Sequence, residues 1–182
     1  MGKFILIGIP NCGKTTLGKR AAELLQIPFF DTDSLTVNRM NLENPFDIFR
    51  SAFNGRFMIE QLNVMNELDT HEGSAIIATG AEIALMPECV KLMKKMGTVI
   101  HIHRNPINAI DSLKNNDHRM VMSQIVDGKE TSLKIDMQEE AVKMYAKELA
   151  HYEALANFTL ENNGSEDEGL EKLITLIEEQ GR

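Results

Sequence analysis

Gly8-Ile9-Pro10-Asn11-Cys12-Gly13-Lys14-Thr15 has the spacing G-x-x-x-x-G-K-[ST], a pattern suited to gripping a chain of phosphates. The two glycines let the backbone curl until successive N–H groups face phosphate oxygens. A helix starting here adds the partial positive charge of its N-terminus. Gly8, Asn11, Cys12, Gly13, Lys14, Thr15 and Thr16 are therefore the candidate nucleotide contacts. Lys14 is expected to reach the β- and γ-phosphates, and the Thr15 hydroxyl to sit on Mg²⁺. The plainer alternative is a glycine-rich turn carrying an exposed lysine.

Asp31-Thr32-Asp33 is the second constellation, at the end of a short apolar stretch. Acidic residues at such a strand end serve P-loop enzymes near Mg²⁺. Asp31 can hold the metal, directly or through water. Asp33 can orient or deprotonate an acceptor hydroxyl. The alternative is an Asx turn in which Asp33 caps a helix from Ser34 onward.

These residues need elements to position them. Phe4-Ile5-Leu6-Ile7 reads as a buried strand feeding the loop, and Thr16 to Gln26 as a helix with Leu17, Ala21, Leu24 and Leu25 on one face. Phe29-Phe30 is a short strand ending at Asp31. Asn44-Pro45 opens a helix, and Arg56 to about Leu68 forms another. Ser74 to Ala78 is a strand ending at Thr79-Gly80. Pro87 starts a helix that closes at Lys94-Lys95-Met96-Gly97. Thr98 to Ile102 is a further strand, and Pro106 starts another helix. Residues from about 116 to 133 are polar and irregular, a candidate mobile lid. Met137 to Ala156 reads as a long helix, Phe158 to Leu160 as the last strand, and Gly169 to Gln180 as the closing helix. Asn162 to Glu168 reads as a solvated acidic turn. Strands separated by helices imply a parallel sheet covered on both faces, here a three-layer α/β/α P-loop fold with a five-stranded parallel sheet. Its ligands gather beyond the carboxyl ends of the strands, where Gly8, Asp31 and Gly80 all lie.

The chain has 182 residues, 43% hydrophobic and 25% charged. That predicts one domain spanning 1–182, with an acceptor-binding helical segment at about 32–70. The net charge of −8 argues against nucleic acid as a partner. Anions must be held by local cations against that background. No stretch is long and apolar enough to span a bilayer, and the opening residues do not read as a removable leader. Only two cysteines occur, Cys12 and Cys89, without metal-type spacing, and together with the lack of a spanning stretch or a leader this predicts a reducing cytoplasm. A monomer is expected, with a weak dimer as the alternative. Cys12 is either a reactive thiol or a small residue that fits the turn.

In these features the chain resembles the shikimate kinases, small P-loop kinases of the nucleoside-monophosphate-kinase-like fold. The matching parts are the P-loop at Gly8–Thr15, Asp31-Thr32-Asp33, the segment Phe57–Glu60, Thr79-Gly80-Ala81, and the polar run around His118-Arg119-Met120. The resemblance implies ATP and Mg²⁺, a small polyol acid as acceptor with shikimate foremost, and a place in aromatic amino acid biosynthesis. Carried over, Asp31 faces the metal shell, Asp33 binds the acceptor hydroxyl, and Arg119 closes over the phosphates. Lys14, Asp33 and Arg119 are then the catalytic set.

Several positions depart from the family pattern. Thr79-Gly80-Ala81 stands where three glycines are usual. Phe57 occupies the place of an acceptor-binding arginine, with Arg56 one position away. Lys147 and Glu148 stand near an arginine expected before Tyr152, and Ser112 takes an adenine-side arginine's place, with Lys114 close by. Arg56, Glu60, Gly80 and Ala81 join Asp33 as candidate acceptor contacts, and Lys114 joins the nucleotide contacts. Glu60 either binds a hydroxyl or pairs with Arg56 at i, i+4. Arg39 is a further candidate cation. His101 and His103 alternate on a strand and so share a face. A GTPase-like switch lacks its base-reading motif, which Lys114-Asn115-Asn116-Asp117 only echoes. Other readings are a kinase of the same fold acting on gluconate or a nucleotide, and a nucleotide-binding module without catalysis.

Overall fold

The computed structural model describes residues 2–42, 55–109, 123–126, 129–132, 145 and 148–181. Five strands form one parallel sheet in the order β2-β3-β1-β4-β7: β1 (Lys3–Ile7), β2 (Phe29–Asp31), β3 (Ala75–Ala78), β4 (Gly97–His103) and β7 (Phe158–Glu161). β1 and β3 are buried along their whole length, as a sheet covered on both faces requires. Their Ile5, Leu6, Ile76 and Ile77 are all fully buried. Each such side chain stabilises the fold by about 1.5–3 kcal/mol.

Helix α1 (Lys14–Leu25) lies beside α6 (Glu166–Gln180), and α3 (Arg56–Thr70) beside α4 (Pro87–Met96). With the sheet these make the three expected layers. α1 sits close because Gly18 has no side chain. A Cβ there would stand 2.8 Å from the Phe29 ring and 2.9 Å from Leu6. α2 (Thr32–Arg39) follows β2 without a loop and packs on α3. A further helix, α5, is described over 148–155.

Some boundaries differ from the sequence reading. α1 begins at Lys14 rather than Thr16, because Gly13 takes a left-handed conformation at φ 104° and starts the helix early. Leu24 is 65% exposed; the buried stripe runs through Leu17, Gly18, Ala21 and Ala22. α6 begins at Glu166 rather than Gly169, since Ser165 and Glu168 form a reciprocal capping box. The acidic residues 166–168 are its first turn, where they complement the helix dipole. Asn162 is buried, not solvated. Within the segment read as irregular, β5 (Ser123–Val126) and β6 (Lys129–Ser132) pair antiparallel. The helix expected from Asn44 lies outside the described residues, as does the start of the one expected from Met137.

Candidate active site

The P-loop wraps the carboxyl end of β1. Gly8 has φ 144°, and a Cβ there would stand 2.6 Å from the Ile102 carbonyl, so any other residue would push the loop off β4. Lys14 folds back across the turn. Its Nζ donates to the carbonyls of Gly8 at 2.8 Å and Ile9 at 2.9 Å. The start and end of the loop are thereby tied by one ammonium group, which lies 3.7 Å from Cys12 Sγ. The Cys12 side chain is fully buried, so it packs the turn and is not presented to reagents. Thr15 and Thr16 are exposed in the first turn of α1, and Asn11 at the tip of the loop.

Asp31 joins this loop to β2. Its Oδ2 accepts from Thr15 Oγ1 at 2.8 Å, and its Oδ1 accepts from the Ser34 backbone N–H at 3.0 Å. Asp31, not Asp33, is thus the N-cap of α2. Capping by Asp31 leaves the Asp33 side chain available for another task.

Asp33 sits in the first turn of α2, beside Gly80. A Cβ on Gly80 would fall 2.2 Å from Asp33 Oδ1. The Gly80 N–H donates to Thr32 Oγ1 at 3.0 Å, which pins the end of β3 against α2. Gln61 Nε2 donates to Asp33 Oδ1 at 3.2 Å. Asp33 opens to solvent on one side but has protein on most others. That low-dielectric surround, then the charges of Glu82 and Asp31, push its carboxyl up to about 6. Gln61 and Lys14 pull the other way. The open side limits the size of the effect.

Behind Ala81 stands a buried tyrosine. Tyr152 Oη lies 3.3 Å from the Ala81 carbonyl and 3.1 Å from Glu148 Oε2. Burial raises the pKa of Tyr152, reinforced by Glu148, and burial also raises that of Glu148. The Tyr152 ring lies 5.3 Å from that of His101. His101 is buried, and burial pushes its pKa down to about 4. His101 and His103 do share a face, with ring centroids 5.6 Å apart.

Other candidates fall elsewhere. Glu60 does not pair with Arg56; it accepts from Arg39 Nε at 2.9 Å, and Arg39 also binds Glu67. Arg39 is therefore held by two carboxylates rather than offered to a ligand. Arg56 is exposed at the start of α3, and Phe57 is buried. Lys114 and Arg119 lie outside the described residues. Among the described residues no group of three or more His, Cys, Asp or Glu side chains could hold a metal ion.

The structure adds residues that sequence reasoning missed. Gln61 falls among Phe57, Val64, Met65 and Leu68 on the buried face of α3. A polar residue on an apolar stripe is a detectable signal, because burial demands a partner. Thr32 and Asn162 gave no such signal.

The chain as a whole is similar to known proteins. The family model for shikimate kinase matches residues 10–178. The chain belongs to the shikimate kinase family. A shikimate kinase of Enterococcus faecalis is 24% identical over 183 residues, covering 98% of this chain and 100% of that one. One from Caldicellulosiruptor saccharolyticus is 30% identical over 122 residues, covering 67% of this chain and 70% of that one. The fold matches the structure of shikimate kinase from Acinetobacter baumannii in complex with shikimate, at a TM-score of 0.80 and 21% identity over 100% of this chain and 96% of that one. A gluconokinase from Sinorhizobium meliloti shares the fold less closely, at a TM-score of 0.58 and 14% identity over 100% and 98%. Membership of the shikimate kinase family makes this chain an ATP-dependent phosphotransferase with an alcohol group as acceptor. Among the described residues no helix is long and apolar enough to cross a membrane.

Proposed function

We propose that this shikimate kinase family member transfers the γ-phosphoryl group of ATP to a hydroxyl of shikimate, in the cytoplasm. The observation that carries the reading is the continuity from Thr15 through Asp31 to Asp33. The Thr15–Asp31 hydrogen bond of 2.8 Å ties the P-loop helix to the residue that caps α2, the helix that carries Asp33. Phosphoryl transfer asks a protein mainly to position groups and offset charge, and these residues offer parts for both.

In this reading Lys14 and the loop N–H groups hold the phosphates, with Gly8, Asn11, Cys12, Gly13 and Thr16 lining them. Arg119 and Lys114 add cations to this set. Asp33 orients the attacking hydroxyl and takes its proton. A carboxyl near 6 is ionised at neutral pH yet basic enough to accept that proton. Gly80 and Ala81 form the floor beneath the acceptor, and Arg56 supplies a cation for its carboxylate. Thr15 and Asp31 offer two hard oxygen atoms, which suits Mg²⁺, an ion that keeps several waters and takes its other ligands from phosphates. Held there, Mg²⁺ would supply positive charge to offset that of the phosphates.

The test is a coupled ADP-release assay with shikimate, gluconate, other polyol acids and nucleoside monophosphates. Turnover with shikimate well above all others is expected. A clear preference for gluconate or a nucleoside monophosphate would overturn the choice of acceptor. Tight ATP binding with no turnover on any of them would favour a module without catalysis.

A further inference from the structure

Asn162 follows β7, far in sequence from the P-loop, yet its side chain is buried against it. We propose that Asn162 is a positioning residue that sets the direction of the P-loop peptide between Cys12 and Gly13. This rests on the P-loop being the nucleotide site, as read above.

Three sets of contacts fix this residue. Its backbone N–H donates to the His103 carbonyl at 2.8 Å, extending the pairing of β7 with β4. Its Nδ2 donates to the Cys12 carbonyl at 2.8 Å. Its amide is clasped between two glycines. A Cβ on Gly13 would stand 2.5 Å from Asn162 Nδ2, and a Cβ on Gly169 would stand 2.3 Å from Asn162 Oδ1. Asn162 is 7% exposed, so the amide has little freedom to turn elsewhere.

The consequence comes from the planar trans peptide. The C=O of one residue and the N–H of the next point in opposite directions. With the Cys12 carbonyl held outward by Asn162, the Gly13 N–H must face the other way, into the turn. A P-loop binds phosphate through such inward N–H groups. Gly13 itself has φ 104°, a conformation in which the peptide could flip at little cost. Without the amide latch this peptide is free to rotate, and the loop loses a preset donor. Asn162 touches no phosphate in this scheme; it acts through Cys12 and Gly13.

The experiment measures ADP binding by calorimetry, with magnesium present, for the wild-type chain, Asn162→Asp and Asn162→Ala. Thermal melting and circular dichroism confirm that each variant is folded. Asn162→Asp keeps the shape but removes the donor and sets a carboxylate against the Cys12 carbonyl. Losing a preset hydrogen bond to a charged group is expected to weaken ADP binding about tenfold or more, while the KM for shikimate stays unchanged. A residue that merely holds the fold would lower the melting temperature and leave the ADP affinity of the folded fraction intact. Gly169→Ala tests the same latch from its other side and does not depend on Asn162 variants folding. It should weaken ADP binding alone, and add nothing in an Asn162→Ala background. Wild-type ADP affinity in folded Asn162→Asp or Gly169→Ala would overturn the proposal. A wild-type chain that bound no ADP would instead overturn the functional reading beneath it.

Discussion

Asp31 divides its carboxylate between two helices: Oδ2 accepts from Thr15 Oγ1 in α1, and Oδ1 from the Ser34 N–H in α2. One side chain therefore caps α2 and supports the Thr15 hydroxyl. The two tasks can be separated. Asparagine is as good an N-cap as aspartate, but it is a poorer ligand for Mg²⁺. We predict that Asp31→Asn keeps the melting temperature and raises the Mg²⁺ concentration needed for half-maximal activity. Asp31→Ala should do that and also lose about 1 kcal/mol of stability with the cap. Magnesium titrations beside thermal melts check this. An Asp31→Asn enzyme with an unaltered magnesium requirement would refute the metal role.

Lys14 and Asp33 should separate donor binding from chemistry. Lys14→Met is expected to abolish turnover. Asp33→Asn is expected to lower kcat by about 10²–10⁴-fold with ATP binding spared. The pH profile carries a matching sign. In the proposed role Asp33 would work as the carboxylate, and its pKa in the free protein is raised to about 6. The rate parameter kcat/KM reports the free enzyme, so it should be flat near pH 8 and fall as pH drops through about 6. A raised carboxyl pKa also means the ionised form is disfavoured on folding. Asp33→Asn should therefore not lower stability at pH 7.5. A profile flat down to pH 5 would count against Asp33 as the base.

Gly80 is a steric rather than a conformational requirement. Its Cβ would sit 2.2 Å from Asp33 Oδ1, a separation no packed structure tolerates. Gly80→Ala should displace the Asp33 carboxylate and reduce kcat by at least about tenfold, leaving ADP affinity untouched. Steady-state kinetics beside ADP calorimetry decide it. Normal kcat in the variant would mean that Asp33 need not stand where the structure puts it.

His101 makes the fold acid-sensitive. It is buried neutral, with its pKa pushed down to about 4. The unfolded chain protonates near 6.5, so this group's contribution is whole above that pH. It is lost as pH falls from 6.5 toward 4. Urea unfolding of the wild type and His101→Phe at pH 7.5 and 4.5 should show the difference between them shifting by on the order of 2 kcal/mol in favour of the variant at the lower pH. Parallel pH dependence in both proteins would disprove a buried neutral imidazole.

Much of this was written in local pattern. The P-loop needs only the order and type of eight consecutive residues, because the group that grips phosphate is the backbone itself. The strands β1 and β3 are legible as unbroken apolar runs, since both faces of a parallel sheet are covered. Asp31 and Asp33 were legible as a pair because a strand end precedes them. Their division of labour was not. Which of the two caps α2 depends on one backbone dihedral at Asp31, in the β region, and on where Thr15 lies in space. The start of α6 is written in the sequence as Ser165-x-x-Glu168, three residues ahead of the apolar pattern that begins at Gly169.

The sequence by itself determined the loop, the alternation of strands and helices, and the residue types available for chemistry, because each is set by neighbours within a turn or two of chain. Only the tertiary structure decided which of those residues meet. Arg39 is taken by Glu60 and Glu67, Gln61 reaches Asp33, and Asn162 reaches Cys12 across 150 residues of chain. Such pairings follow from the packing of whole layers, where close approach of backbones and loss of water choose the partners, and no local spacing encodes them.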